Sequence, residues 1–478
     1  LNRPKPLPNL DCNILCGNSL MDEFEGIKLI NPSELFPSKD NTILLDQSRY
    51  DGILSTLFDC QDKLFRESNH YEKEKLKKRI KNCIDDVVLF SLNQADKKIL
   101  KKYNEIKNKA VLPYFLWQLE FGRIFKEKGG FDIVIGNPPY GAKVSEVDKK
   151  IYKRKYCCAK TIKGKQKGSV DTFALFIEKG FDLCIENATV NFIVPMSVIS
   201  SDSMTALHNL LEQNCNVIKV SSYSNRPKQI FDAACIRTSI IMFKKTLSPI
   251  EHIYTTKLIR RSENNTIENI IKNLHFVDSI KCKIEGRYPK VGTTDEVNIL
   301  TKMINNVNRI KDYYSVDGAP FYYRTAGGRY FNVVTVARTG SSQEKPFLVK
   351  SNFEKICAAI FSTSLFWFYQ QVYTDGLHLK QSEVENFPVF NFESVDKSIL
   401  NKVIDIYDRY VVDIEKNALE MQSSGKSSYN VSKVKTYKIR KSKNIIDELD
   451  DIIDPLYGLN YKEIEFVKNY EYEVRMKD

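Results

Sequence analysis

Ten residues, Phe131-Asp-Ile-Val-Ile-Gly-Asn-Pro-Pro-Tyr140, restrict the fold more than any other stretch of the chain. The apolar run Ile133-Val134-Ile135, closed by a turn signal, reads as a buried strand of a parallel sheet, and Asn137-Pro138-Pro139-Tyr140 as its rigid exit loop. In open α/β sheets ligands bind just beyond the carboxyl ends of the strands, where this loop sits. Two consecutive prolines fix φ and carry no backbone N–H. Their carbonyls are expected to face outward as acceptors beside the Asn137 amide and the Tyr140 ring. Such a site suits a planar group bearing an amine. The amine can donate to the Asn137 side chain and the Pro138 carbonyl while the ring stacks on Tyr140, which leaves the nitrogen lone pair free to attack an electrophilic methyl group. That is catalysis by positioning and electrostatics.

Asn137-Pro138-Pro139-Tyr140 after an apolar strand resembles motif IV of the amino-methyltransferases that use S-adenosylmethionine, above all the DNA adenine-N6 methyltransferases. Further matches follow in the family's order. Asp11 to Leu20 reads as a short strand ending in a Gly-Asn turn and looks like motif III, which would place Asn18 on the adenine amino group of the cofactor. Asp171 to Phe181 has the spacing of a core helix, and as motif V it would put Phe176 against the cofactor. Phe231, four residues, Ile236 and Thr238 look like motif VIII, whose aromatic side chain would stack on an extruded base opposite Tyr140. Pro113 to Phe121, with Phe125 and Gly129-Gly130, resembles the segment before motif IV in the large restriction-modification fusions of the Eco57I type, a type IIG or IIS enzyme. The resemblance implies an α/β fold: a partial, Rossmann-like methyltransferase sheet, mostly parallel with an antiparallel hairpin, then an α+β target-recognition domain and C-terminal helices. It also implies double-stranded DNA as partner.

The charge agrees with a polyanionic partner without proving one: 72 basic against 60 acidic residues give +12. Basic residues concentrate from Lys149 to Lys167, where eight lysines and one arginine occur with no acidic residue. Lys149, Lys150, Lys153, Arg154 and Lys155 are therefore candidates for phosphates flanking a flipped nucleotide; the bland reading is a solvated mobile loop. Eleven cysteines without paired C-x-x-C spacing suit a reduced interior, and five scattered histidines build no zinc motif, so no metal is expected. No apolar run approaches membrane-spanning length and no signal peptide is evident, so a prokaryotic cytoplasmic protein is expected.

Residues 1–247 are assigned to the catalytic domain, with a helical insertion over about 21–120. Within it Ile53, Leu54, Leu57, Phe58, Leu64 and Phe65 share a helical face, and Glu72 to Arg79 is a solvated charged run. From about Ser248 the α/β periodicity stops. Residues 248–395 are assigned to target recognition, where Arg324 and Arg329 are candidate readers of guanine edges. Residues 396–478 form a helical tail with apolar faces at Leu400 to Val411 and Ile445 to Ile453, separated by a polar linker from Gln422 to Ser432.

The family's glycine-rich motif I, Asp-Pro-x-x-Gly-x-Gly after a strand, occurs nowhere in the sequence. The expectation is a C-terminal portion, completed by an N-terminal portion or a partner chain, with or without a nuclease. Three alternatives stand beside it: an RNA or protein amino-methyltransferase, a non-catalytic DNA-binding specificity module, and an inert structural fragment.

Overall fold

The computed structural model describes residues 14–30, 45–93, 95–231, 235–262, 264–326, 333–421 and 434–476. Two compact units divide the chain: Leu1–Ile135 with Leu175–Val190, and Gly136–Ala174 with Asn191–Asp478.

In the first unit a small hairpin, β1 (Glu23–Phe24) and β2 (Ile27–Lys28), turns through Glu25 and Gly26, both at positive φ. Helices Leu45–Arg66, His70–Ser91 and Lys97–Ile106 follow, as expected of the insertion. The second starts where Asn69 accepts hydrogen bonds from the amides of Tyr71 and Glu72, meeting donors that a helix N-terminus leaves unpaired. Leu54, Leu57, Phe58 and Leu64 are buried on one face, but Phe65 is 49% exposed and lies under the Arg123 guanidinium. One position past Leu64 rotates a side chain by about 100°, which takes Phe65 off the face. The Glu72 to Arg79 run is solvated, with Lys75–Glu72 and Lys77–Glu74 ion pairs along it.

Strand β3 (Phe131–Gly136) forms where the apolar run predicts it, yet it is not buried. Ile133 is 63% and Ile135 79% exposed, because β3 is the terminal strand of its sheet and its apolar side chains gain cover from one side only. Beside it begins β4 (Cys184–Pro195). The two backbones come close at Gly130, where a Cβ would stand 2.6 Å from the Leu183 carbonyl oxygen.

In the second unit the later half of β4 is followed across the sheet by β6 (Thr238–Lys244), β5 (Val217–Tyr223), β7 (His252–Ile259) and β8 (Val277–Asp278). β5 and β6 are antiparallel, β5 and β7 parallel, and β7 and β8 antiparallel, so the sheet is mixed, with β5 and β6 as an antiparallel pair of neighbours in sequence. Pairing through Asp278 carries the α/β pattern about thirty residues beyond residue 247, the expected boundary. The distal part shares one core. Strands Tyr314–Arg324 and Glu344–Val349, helices Glu354–Phe361 and Ser364–Tyr373, and the C-terminal helices Lys397–Lys416, Lys443–Ile453 and Tyr461–Asn469 contribute buried side chains to a single cluster. The helical tail is therefore part of this body rather than an appendage. Arg329 and the Gln422–Ser432 linker lie outside the described residues.

Two carboxylates sit within that core. Asp450 accepts the Ser364 amide at 2.8 Å, whereas neither oxygen of the fully buried Asp454 has a hydrogen-bond partner. Burial pushes Asp450 up to about 6, and burial together with the neighbouring Asp450 raises Asp454 well above the ordinary range. Over the interval from about pH 4, where an unfolded Asp titrates, to these raised values the native state holds more protons than the unfolded chain. Stability therefore falls as pH rises through that interval. Asp454→Asn, which cannot ionise, is expected to remove much of the fall. Thermal melts at pH 5 and pH 8 check it; a variant whose pH dependence matches the parent refutes it.

Candidate active site

The loop after β3 is held by three contacts. Gly136 is the last strand residue, and the space of its missing Cβ is filled by the Phe192 ring, 2.2 Å from where that atom would be. Proline cannot donate to a sheet ladder, so the chain leaves the sheet at once. The Thr172 hydroxyl donates to the Pro139 carbonyl at 2.6 Å, and Gly141, at φ +63°, turns the chain away. The expectation of two outward acceptors is thus corrected. The Pro139 carbonyl is engaged by Thr172, and Pro138 is a buried residue.

Tyr140 is half-buried, and burial raises its phenol above the ordinary value. Its hydroxyl lies 2.8 Å from both the Ile193 carbonyl and the Asn137 side-chain oxygen. One hydroxyl proton cannot satisfy both acceptors fully. Rotating the Asn137 amide by half a turn, an assignment made from hydrogen bonding rather than from atom identity, resolves this. Tyr140 then donates to Ile193 and accepts from the Asn137 amide nitrogen, and the exposed Asn137 retains a free carbonyl oxygen. Asn137 and Tyr140 are thereby brought together at the end of the strand.

Phe231 faces Tyr140 with ring centroids 6.4 Å apart and planes inclined by 58°. A base held between two faces needs parallel rings about 7 Å apart, twice the base-stacking rise of about 3.4 Å. The pair is thus brought together, but in edge contact rather than as an open clamp. Behind it, the Met196 amide donates to the Arg237 carbonyl, fastening the end of β4 to the residue before β6. Thr172, Ile193, Phe192 and Arg237 escape the sequence reading, because three act through contacts distant in sequence and Ile193 through its main chain alone.

The two residues assigned to the cofactor lie in the first unit. Asn18 is half-buried in a turn, with no strand among residues 14–20; Asp11 to Asn13 fall outside the described residues. The turn is held as its amide donates to the Leu112 carbonyl, while Trp117 Nε1 donates to Ser19 at 3.0 Å. Its side-chain oxygen accepts the Leu20 amide at 3.3 Å, leaving a second lone pair for another donor. Phe176, on helix Thr172–Leu183, is half-exposed while residues 172–175 and 177–181 are buried. A free acceptor and a partly open ring fit the adenine portion of a nucleoside.

The basic run is a helix and a hairpin rather than a mobile loop. Helix Glu146–Lys155 carries Lys149, Lys150, Lys153, Arg154 and Lys155, with Lys149 paired to Glu146 at 2.7 Å and Lys155 over the Tyr156 ring. Arg324 is turned into the protein. Its guanidinium donates to Thr339 at 3.1 Å and lies over the Tyr437 ring, with Nε buried. That placement does not offer it to a groove.

Comparison with known sequences finds relatives of part of the chain. The family model "Eco57I restriction-modification methylase" matches residues 28–231, less than half of the chain. The chain is 25% identical over 340 residues to a putative type II restriction enzyme and methyltransferase of Methanocaldococcus jannaschii, covering 60% of this chain and 27% of that protein. Over 120 residues it is 30% identical to a type II restriction enzyme and methyltransferase of Escherichia coli, covering 24% of this chain and 11% of that protein. The chain thus spans about a quarter or less of these relatives. Among solved structures it is similar to the type IIL restriction-modification enzyme MmeI in complex with DNA, at TM-score 0.44 and 12% identity, covering 84% of this chain and 65% of that one.

The packing of Gly136 against Phe192 makes a direct prediction. Gly136→Ala drives a methyl group into Phe192, and overpacking of this kind costs about 1–3 kcal/mol. A lowered melting temperature is expected, and Gly136→Ala with Phe192→Leu should recover part of it. Equal melting temperatures for Gly136→Ala and the parent would show that the ring is not confined.

Proposed function

We propose that the chain is part of a site-specific DNA adenine-N6 methyltransferase of a restriction-modification system, working in a prokaryotic cytoplasm on double-stranded DNA. The observation that carries the reading is the exposed Asn137 amide, set by Tyr140 and the Ile193 carbonyl at the end of the strand. S-adenosylmethionine would supply the electrophilic methyl group, with Asn18 and Phe176 holding its adenosine. The family's glycine-rich strand would come from a further segment or a partner chain.

In this reading the adenine leaves the duplex and enters between Tyr140 and Phe231. Its exocyclic amine donates one hydrogen to the Asn137 carbonyl oxygen and the other to the Pro138 carbonyl. Both acceptors draw the amine towards a tetrahedral arrangement, so its lone pair points at the methyl donor instead of conjugating with the ring. No side chain needs to take a proton before attack, since the amine becomes acidic only once alkylated. Pro139 contributes stiffness, with Thr172 holding its carbonyl. The distal part would select the sequence, and Lys149, Lys150, Lys153, Arg154 and Lys155 would meet phosphates.

The test is methyl transfer from tritiated S-adenosylmethionine to unmodified genomic DNA, using the full-length or partner-completed protein, followed by digestion to nucleosides. Label is expected in N6-methyladenine. Asn137→Ala is expected to lower kcat by about 100-fold or more, the scale of losing one preorganised polar contact, with DNA affinity nearly unchanged. Label in a cytosine product, in RNA or in protein, or a fully active Asn137→Ala, would refute the assignment.

A further inference from the structure

A cleft of about 710 Å³ in the second unit, apart from the Asn137 loop, takes its lining from both the catalytic and the distal part. One wall is the hairpin Thr161–Lys167. Its frame is fixed: Ile162 and Gln166 exchange main-chain hydrogen bonds, Gly164 turns at φ +76°, the Gly168 amide donates to the Thr161 hydroxyl, and the Ala206 amide donates to the Lys167 carbonyl. Lys163, Lys165 and Lys167 are exposed on this frame.

The charges lining the cleft do not cancel. Arg287, at its base, is consumed by Asp202 at 2.7 Å and Glu383 at 3.1 Å, and Asp202 also pairs with Lys167 at 3.4 Å. Lys163 and Lys165 form no ion pair among the described residues. Arg309, also in the lining, is half-buried, and among the described residues its guanidinium donates only to main-chain carbonyls, those of Ile304, Asn306 and Asn308. A partly buried cation satisfied by carbonyls alone keeps its full charge, in surroundings that screen it less than water does. Glu285 is the remaining acid in the lining and cannot neutralise three cations.

Resting on the reading of the chain as a DNA-modifying protein, we infer that this cleft is a phosphate site, with Lys163, Lys165 and Arg309 as its cationic contacts. The group bound is a phosphodiester of duplex DNA or the phosphate of a free nucleotide. Helix Glu146–Lys155 contributes no residue to the lining of this cleft.

The experiment compares the full chain with Lys163→Gln/Lys165→Gln and with Lys97→Gln/Lys101→Gln, which loses equal charge from exposed positions of the first unit. Duplex affinity is measured by fluorescence anisotropy across a salt series, and binding of inorganic pyrophosphate by calorimetry. If duplex phosphates occupy the cleft, the hairpin variant loses about tenfold or more in affinity and its log–log salt slope falls by about two, near 0.9 for each lost phosphate contact. The control variant keeps the parent's slope. If the source is a free phosphate, pyrophosphate binding is abolished in the hairpin variant while duplex binding is untouched. Either result supports the site. A hairpin variant equal to the control in both measurements overturns it. A parent chain that binds no duplex counts against the proposed function, and the pyrophosphate arm then still decides the cleft.

Discussion

The hydrogen bond from the Tyr140 hydroxyl to the Ile193 carbonyl is the contact on which the site depends. A loop of two prolines is stiff along its own length, but stiffness does not set its direction. A hydroxyl that reaches the main chain of β4 does. It fixes where the ring stands, and through the ring oxygen it fixes the Asn137 amide as well, so that one side chain orients two functional groups. A phenylalanine at this position could stack equally well and would orient neither, which gives tyrosine a physical reason at the fourth position of the motif.

What lies under this loop explains how much of it could be read in advance. The strand, the turn, the polar groups of Asn137 and the facing aromatic Phe231 follow from a local sequence whose residue types leave few options. The burial of β3 does not, because an apolar run is equally consistent with a central strand and a terminal one, and only the sheet order distinguishes them. The continuation of the sheet beyond residue 247 is hidden for a related reason. His252 to Ile259 alternates too weakly to announce a strand, yet its parallel pairing with β5 holds it in the sheet. Arg324 is engaged by Thr339 and the Tyr437 ring, partners distant in sequence that no local pattern announces.

Within the second unit, the catalytic and distal parts are joined by more than apolar packing. Arg287 is buried and divides its donors among Asp202, Glu383 and the Tyr373 carbonyl, while Ser382 adds a hydrogen bond to Asp202. Burial pushes the Asp202 carboxyl up, but the charges and hydrogen bonds of Arg287 and Lys167 together outweigh it and hold the group below the ordinary range. Burying such a cluster is expensive, and replacing it with apolar side chains would cost little in stability. What an apolar patch cannot supply is direction: a guanidinium with fixed donors allows its three acceptors one relative placement. The cluster is therefore better understood as setting the geometry between β4 and the distal helices than as strengthening their attachment.

The edge contact between Tyr140 and Phe231 bears on how a base would enter. Parting two aromatic rings in this geometry forfeits about 0.5–1.5 kcal/mol beyond their buried area. A base that then occupies the gap stacks on an aromatic face at each side, and stacking of this kind is worth about 1–3 kcal/mol per base. The exchange is close to even at its worst and favourable at its best. Closure of the pair therefore presents no barrier of its own to an incoming base. The larger cost is extraction from the duplex, a few kcal/mol, which the ring contacts alone do not cover. Under the proposed reading, contacts to the backbone on either side of the base would have to supply the balance, and the chain's cationic surfaces would be as necessary to the chemistry as the polar loop at the strand's end.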